Sequence, residues 1–213
     1  MANFNKGILG AFSGKVGNVV GASWRSLNII RSLPKPSKKQ ATMAQLSQRQ
    51  KFALINSFLK LGKALIDQYY GGRHPYKSRH NLCVSYHLKE AVMGTLDNYS
   101  IDYTKVVWTK GELMGLGNAT LTPQANQIVE LTFVGMSGQS NALDEDQVML
   151  VLWNEGKGEL PIYYSLAERV DGVGSISLPS SWQSDTVHAW VSVHNPERRL
   201  VATSQYLGTI VIL

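Results

Sequence analysis

The sequence predicts a mixed α+β chain: an N-terminal glycine-rich arm with a β-hairpin, a helical hairpin, then a C-terminal antiparallel β-sandwich of immunoglobulin-like or jelly-roll type. Three observations predict it. Glycine recurs at positions 7, 10, 14, 17 and 21. Apolar residues then follow a helical period from about residue 42 to 93, and from about residue 102 the period changes to two. The matching segments are 1–40, 41–95 and 100–213.

The glycine spacing of three and four would line one helix face. Five glycines, however, each cost a helix about 1 kcal/mol relative to alanine, and Lys15 interrupts the apolar surroundings. The segment is therefore expected to be an extended or looped arm, with Ile8, Leu9, Phe12, Val19 and Trp24 packing on a neighbouring surface. Asn18–Trp24 and Leu27–Leu33 are two β-prone runs separated by Arg25-Ser26, which reads as a hairpin. Pro34 and Pro36 end it in a Pro/Ser/Lys linker.

Thr42-Met-Ala-Gln45 has capping-box spacing and opens a helix carrying Phe52, Ile55, Leu59, Ile66 and Tyr69, with a second stripe of Leu54, Phe58, Leu61 and Leu65. Gly71-Gly72 stops it. A second helix, 79–93, ends at Gly94 and pairs with the first as a hairpin. Six β-prone runs follow, at 127–134, 147–153, 160–165, 173–178, 186–193 and 205–213, each bounded by turn residues. In the first, Val129, Leu131 and Phe133 alternate with Glu130 and Thr132, so one face is expected to be buried. In the run at 186–193, Val187, Ala189, Val191 and Val193 point inward. Trp190 points outward and marks an interface unless it caps a second contact.

At 213 residues, 44% hydrophobic and 17% charged, the chain can bury a core without a disulfide or metal. No apolar run reaches the roughly 20 residues of a bilayer span, and the N-terminus lacks a signal-peptide pattern. The expectation is no membrane span, no signal-directed secretion, and a location in a virion or the bacterial cytoplasm. The net charge of +6 is unevenly spread: residues 1–66 hold eleven Lys/Arg and no acid, whereas residues 111–213 carry −7. Such asymmetry implies a partner, whether nucleic acid, a lipid surface or the acidic half of another copy.

Constellations that could carry chemistry are few. His80, Cys83 and His87 share a helix face with His74 upstream, but one cysteine lacks the spacing of a structural zinc site. The expectation is a small cysteine in the core with histidines at its rim, and no metal. Cys83 lacks an oxyanion motif or an orienting carboxylate. Gly111–Gly117 lacks the third glycine and the lysine of a phosphate loop and reads as an ordinary loop. Asp144-Glu-Asp146 lacks the pattern of a calcium loop and reads as a solvated turn. No catalytic residue and no cofactor are expected. Arg25, Arg31, Lys35, Lys38, Lys39, Arg49 and Lys51 fall within 27 residues and form the candidate contact to nucleic acid or to an acidic partner. No base-reading motif accompanies them, so nucleic-acid contact would be to the backbone and nonspecific.

The strings Asn5–Gly21 with Trp24, Arg31-Ser-Leu-Pro34, Thr42-Met-Ala-Gln45, Gln48-Arg49, Lys51-Phe52, Val84–Lys89 and Ser204–Gly208 resemble an uncharacterised protein family of Bacteroidetes and some of their phages, over nearly the full length. That family supplies no assigned activity. Similar arrangements in phage-encoded proteins imply virion association. Together the resemblance and the charge division point to a noncatalytic structural subunit of a phage capsid or tail. Homo-oligomerisation through the N-terminal arm is expected, with other virion proteins as further partners. The alternative is a nonspecific nucleic-acid-binding accessory protein.

Overall fold

The computed structural model describes residues 3–4, 10–24, 27–36, 39–72 and 74–213. The chain is mixed α+β, its sheets are antiparallel, and its contacts divide it into two units, Met1–Thr42 and Met43–Leu213.

The first unit is one sheet, in the order β1 (Asn3–Phe4), β2 (Phe12–Val16), β3 (Val19–Trp24) and β4 (Leu27–Ser32). The expected hairpin is present, with Trp24 opposite Leu27 and Val19 opposite Ser32. Of the extended or looped arm expected, residues 12–16 and 19–21 are extended and paired as strands. Gly17-Asn18 closes a second hairpin between Val16 and Val19, with Gly17 at φ +57°, and a Gly-Asn pair between two valines is itself a hairpin signal. Gly21 is required by close approach, because a Cβ there would strike the Phe12 carbonyl and lie 2.6 Å from its ring. Ile8 and Leu9 lie outside the described residues.

The second unit begins with α1 (Met43–Leu61), α2 (Lys63–Tyr69) and α3 (Arg79–Glu90). The single helix expected from 42 to Gly71 is broken at Gly62, where a Cβ would sit 2.5 Å from the Trp108 ring. The second helix ends at Glu90 rather than Gly94. Val92–Thr95 (β5) instead turns through Asp97, at φ +69°, to pair with Asn98–Ile101 (β6). Gly94, at φ +97°, lies within β5, where a Cβ would strike the Asn98 carbonyl. Of the two apolar stripes, Ile55, Phe58, Leu59, Leu65, Ile66 and Tyr69 are buried, whereas Phe52 and Leu61 are each 48% exposed, against expectation.

Eight strands follow: β7 (Gly117–Gln124), β8 (Ile128–Val134), β9 (Gln147–Asn154), β10 (Ile162–Glu168), β11 (Val173–Ser177), β12 (Thr186–Asn195), β13 (Leu200–Val201) and β14 (Gln205–Val211). They form a three-stranded sheet, β11-β8-β7, and a five-stranded sheet, β10-β9-β12-β13 with β14 also on β12. β7 had no sequence counterpart: its apolar positions, Ala119, Leu121 and Pro123, alternate with Thr and Asn too weakly to stand out.

Alternation along β9 and β12 explains the layering. Val148, Leu150, Leu152, Val187, Ala189, Val191 and Val193 meet Val129, Leu131 and Phe133 of the facing sheet. On the opposite side Met149, Val151, Trp153 and Trp190 meet Ile55, Phe58, Leu59 and Leu65 of the helices. The five-stranded sheet is thus covered on both faces. Trp190, expected to point outward, is fully buried; the interface it marks lies inside its own chain. Each such large side chain contributes about 1.5–3 kcal/mol by leaving water.

Candidate functional site

The N-terminal sheet carries Phe12, Val19, Trp24 and Arg31 of the contact residues expected from the sequence. Residues opposite one another in paired strands share a face. Lys15, Val20 and Arg31 stand in one row, followed by Ala22 with Ile29 and Trp24 with Leu27. The other face holds Val16, Val19 and Ser32, then Gly14, Gly21 and Ile30. Every residue of β4 is exposed, and Ile30 reaches 67%. Val16, Val19, Trp24, Leu27 and Ile29 are all more than one-third exposed. Both faces of this small sheet therefore present branched apolar side chains to water, an arrangement that soluble monomers avoid. Leu27, Ile29 and Ile30 were absent from the expected contact set. Their signal was the apolar pair Ile29-Ile30 in a strand that cannot hide both.

Five of the seven basic residues are described, and they are divided between the two units. Arg31, Lys35 and Lys39 belong to the first unit and are exposed. Arg49 and Lys51 belong to α1 in the second, where the Lys51 ammonium lies 4.9 Å from the Tyr99 ring centroid. Arg25 and Lys38 lie outside the described residues.

In the second unit, the His80–Cys83–His87 face is split by burial. His74 is exposed and His80 half-buried, but His87 is fully buried rather than at the rim. Its two ring nitrogens reach the Cys83 carbonyl and the Val107 amide, so neither is spare for a ligand. Burial holds the ring neutral, lowering its pKa to about 4 against a smaller opposing pull from the Cys83 hydrogen bond. Burial also pushes the Cys83 thiol up, away from the thiolate a nucleophile needs. Among the described residues no group of three His, Cys, Asp or Glu is placed to hold a metal ion, and no helix is long and apolar enough to cross a membrane.

The acid run 144–146 is not simply a solvated turn. Asp146 and Arg169 are both fully buried and paired at 3.1 Å. Arg169 also donates to the carbonyls of Met114, Gly115 and Gly135 at 2.6–3.1 Å. Asp146 accepts from Asn195 Nδ2 at 2.8 Å and from the Leu143 amide at 3.0 Å. The loop within 111–117 is thus a cradle for a guanidinium, and the network ties four connections together.

A family model described as a family of unknown function (DUF6266) matches residues 11–208. No curated protein and no solved structure matches the chain.

Proposed function

Because the chain belongs to that family of unknown function (DUF6266), which carries no activity to transfer, we propose its role from the surface: a noncatalytic structural subunit of a phage capsid or tail. It self-associates through the N-terminal sheet. One observation carries this reading, the exposure of Val16, Val19 and Ile30 on one face of that sheet and of Leu27 and Ile29 on the other. A sheet of this size with both faces wet is marginal alone and gains most from being covered.

The charge division supports contact between unlike surfaces of successive copies, because the basic third and the acidic half attract across molecules. Unlike contacts generate rings or filaments, the geometry of shells and tubes. The two facing sheets of the second unit, taken as an immunoglobulin-like or jelly-roll sandwich, would be the rigid body of such a subunit. Its place of action would then be the virion or the bacterial cytoplasm, with other virion proteins as neighbours.

Light scattering coupled to size exclusion tests the reading. Full-length protein should form oligomers, Ile30→Asp should weaken them, and electron micrographs should show rings, tubes or shells. A monomer at every concentration would end it.

Lys15 and Arg31, on one face with Trp24, favour a second reading as a nonspecific nucleic-acid-binding accessory. That reading requires DNA or RNA binding that falls steeply with salt and ignores sequence.

A further inference from the structure

We propose that the groove between α1 and α3 docks an extended acidic segment of a partner polypeptide. The two helices run antiparallel. The start of α1 meets the hairpin that follows α3, through Gln50 on Asp97 at 2.6 Å and Ser47 on Tyr99 at 2.8 Å. At the other end, Arg79 opens α3 by donating to the Asp67 and Gln68 carbonyls of α2. Between them lies a groove of about 600 Å³. α1 contributes Gln48, Phe52 and Asn56, spaced by four and therefore in one stripe about 12 Å long.

The floor is apolar. Val84 and Leu88 of α3 line it beside Phe52, a residue in core register that stays 48% exposed among the described residues. The walls are neutral and polar: Gln48, Asn56, Asn81 and Ser85 line the groove, and among the described residues their side chains make no hydrogen bond within the chain. A carboxamide offers a donor and an acceptor together, the complement of a peptide main chain. An extended chain rises about 3.3 Å per residue, so the stripe accommodates roughly four residues.

Charge sets the sign of the occupant. His80 and Lys89 stand at opposite ends of the groove, and no carboxylate lines it. Of the acids on adjoining elements, Asp97 is held by Gln50, and Glu90 raises the pKa of Tyr86 by its charge, second to burial. One ammonium and one imidazole are too few for a nucleic-acid track, which draws on many phosphate contacts. They suit a peptide with a carboxylate near each end and an apolar side chain between, seated on Phe52.

The test uses full-length protein and a fluorescein-labelled hexapeptide pool carrying Asp or Glu at four positions and Leu or Phe at two, read by anisotropy. Saturable micromolar binding is expected, weakened about tenfold by Lys89→Glu and by Asn81→Asp, with melting curves showing both variants folded. Ile30→Asp should bind the pool as wild type does, separating this site from self-association. The proposal is overturned if the acidic pool does not saturate, if a Lys-substituted pool binds equally well, if a single-stranded oligonucleotide displaces the peptide, or if K89E binds undiminished.

Discussion

The backbone N–H of Val107 donates to Nε2 of His87 at 3.1 Å, which leaves Nδ1 to carry the ring proton and donate it to the Cys83 carbonyl at 2.8 Å. A neutral imidazole thereby pins the loop that delivers Trp108 to the core. Protonation at Nε2 would break the link.

Stability should therefore depend on His87 and pH. The folded-state pKa is about 4 and the ordinary value 6.5, so the contribution is complete above pH 6.5 and fades as pH falls toward 4, where the unfolded chain has already taken up a proton. The shift corresponds to about 3 kcal/mol. Urea unfolding of wild type and His87→Gln between pH 7.5 and 4 should show their difference narrowing by an amount of that order. A constant difference would refute the assignment.

The Asp146–Arg169 pair makes a separate prediction. Removing one partner strands the other charge, fully desolvated, at a cost of about 3–5 kcal/mol. Asp146→Ala and Arg169→Met should each lose that much in chemical denaturation. The double variant should lose less than the sum, because neither charge is then left unpaired.

At the helix break, Gly62→Ala places a methyl against the buried Trp108 ring. Gly62 is the N-cap of α2 rather than a helix-interior residue, so alanine brings no propensity gain there. Overpacking costs about 1–3 kcal/mol, so the variant should melt lower than wild type. Gly72→Ala, with open space around its Cβ site, should be neutral or slightly stabilising. Thermal melts of the pair separate the packing cost at Trp108 from the general effect of replacing a glycine by alanine.

What could be read in advance follows from which forces are local. β8 was legible because Val129, Leu131 and Phe133 are buried and alternate with half-exposed Glu130 and Thr132. β9 and β12 were legible as strands but not as central ones, since a strand covered on both faces loses its alternation; hence the misplacement of Trp190. The break at Gly62 depends on Trp108, far along the chain, and its local mark, one glycine inside a helical period, is too weak to show it. Burial of Asp146 depends on Arg169 and Asn195 in the same way. The groove was invisible because Phe52 sits in a normal helical stripe, and only the assembled pair of helices leaves it uncovered.

The central claim is that the N-terminal sheet is an assembly surface, and sedimentation velocity of full-length wild type beside Ile30→Asp tests it most directly. The account predicts concentration-dependent oligomers for wild type, shifted to monomer in a variant whose second unit melts unchanged. Identical sedimentation of the two proteins as monomers across all concentrations would contradict it.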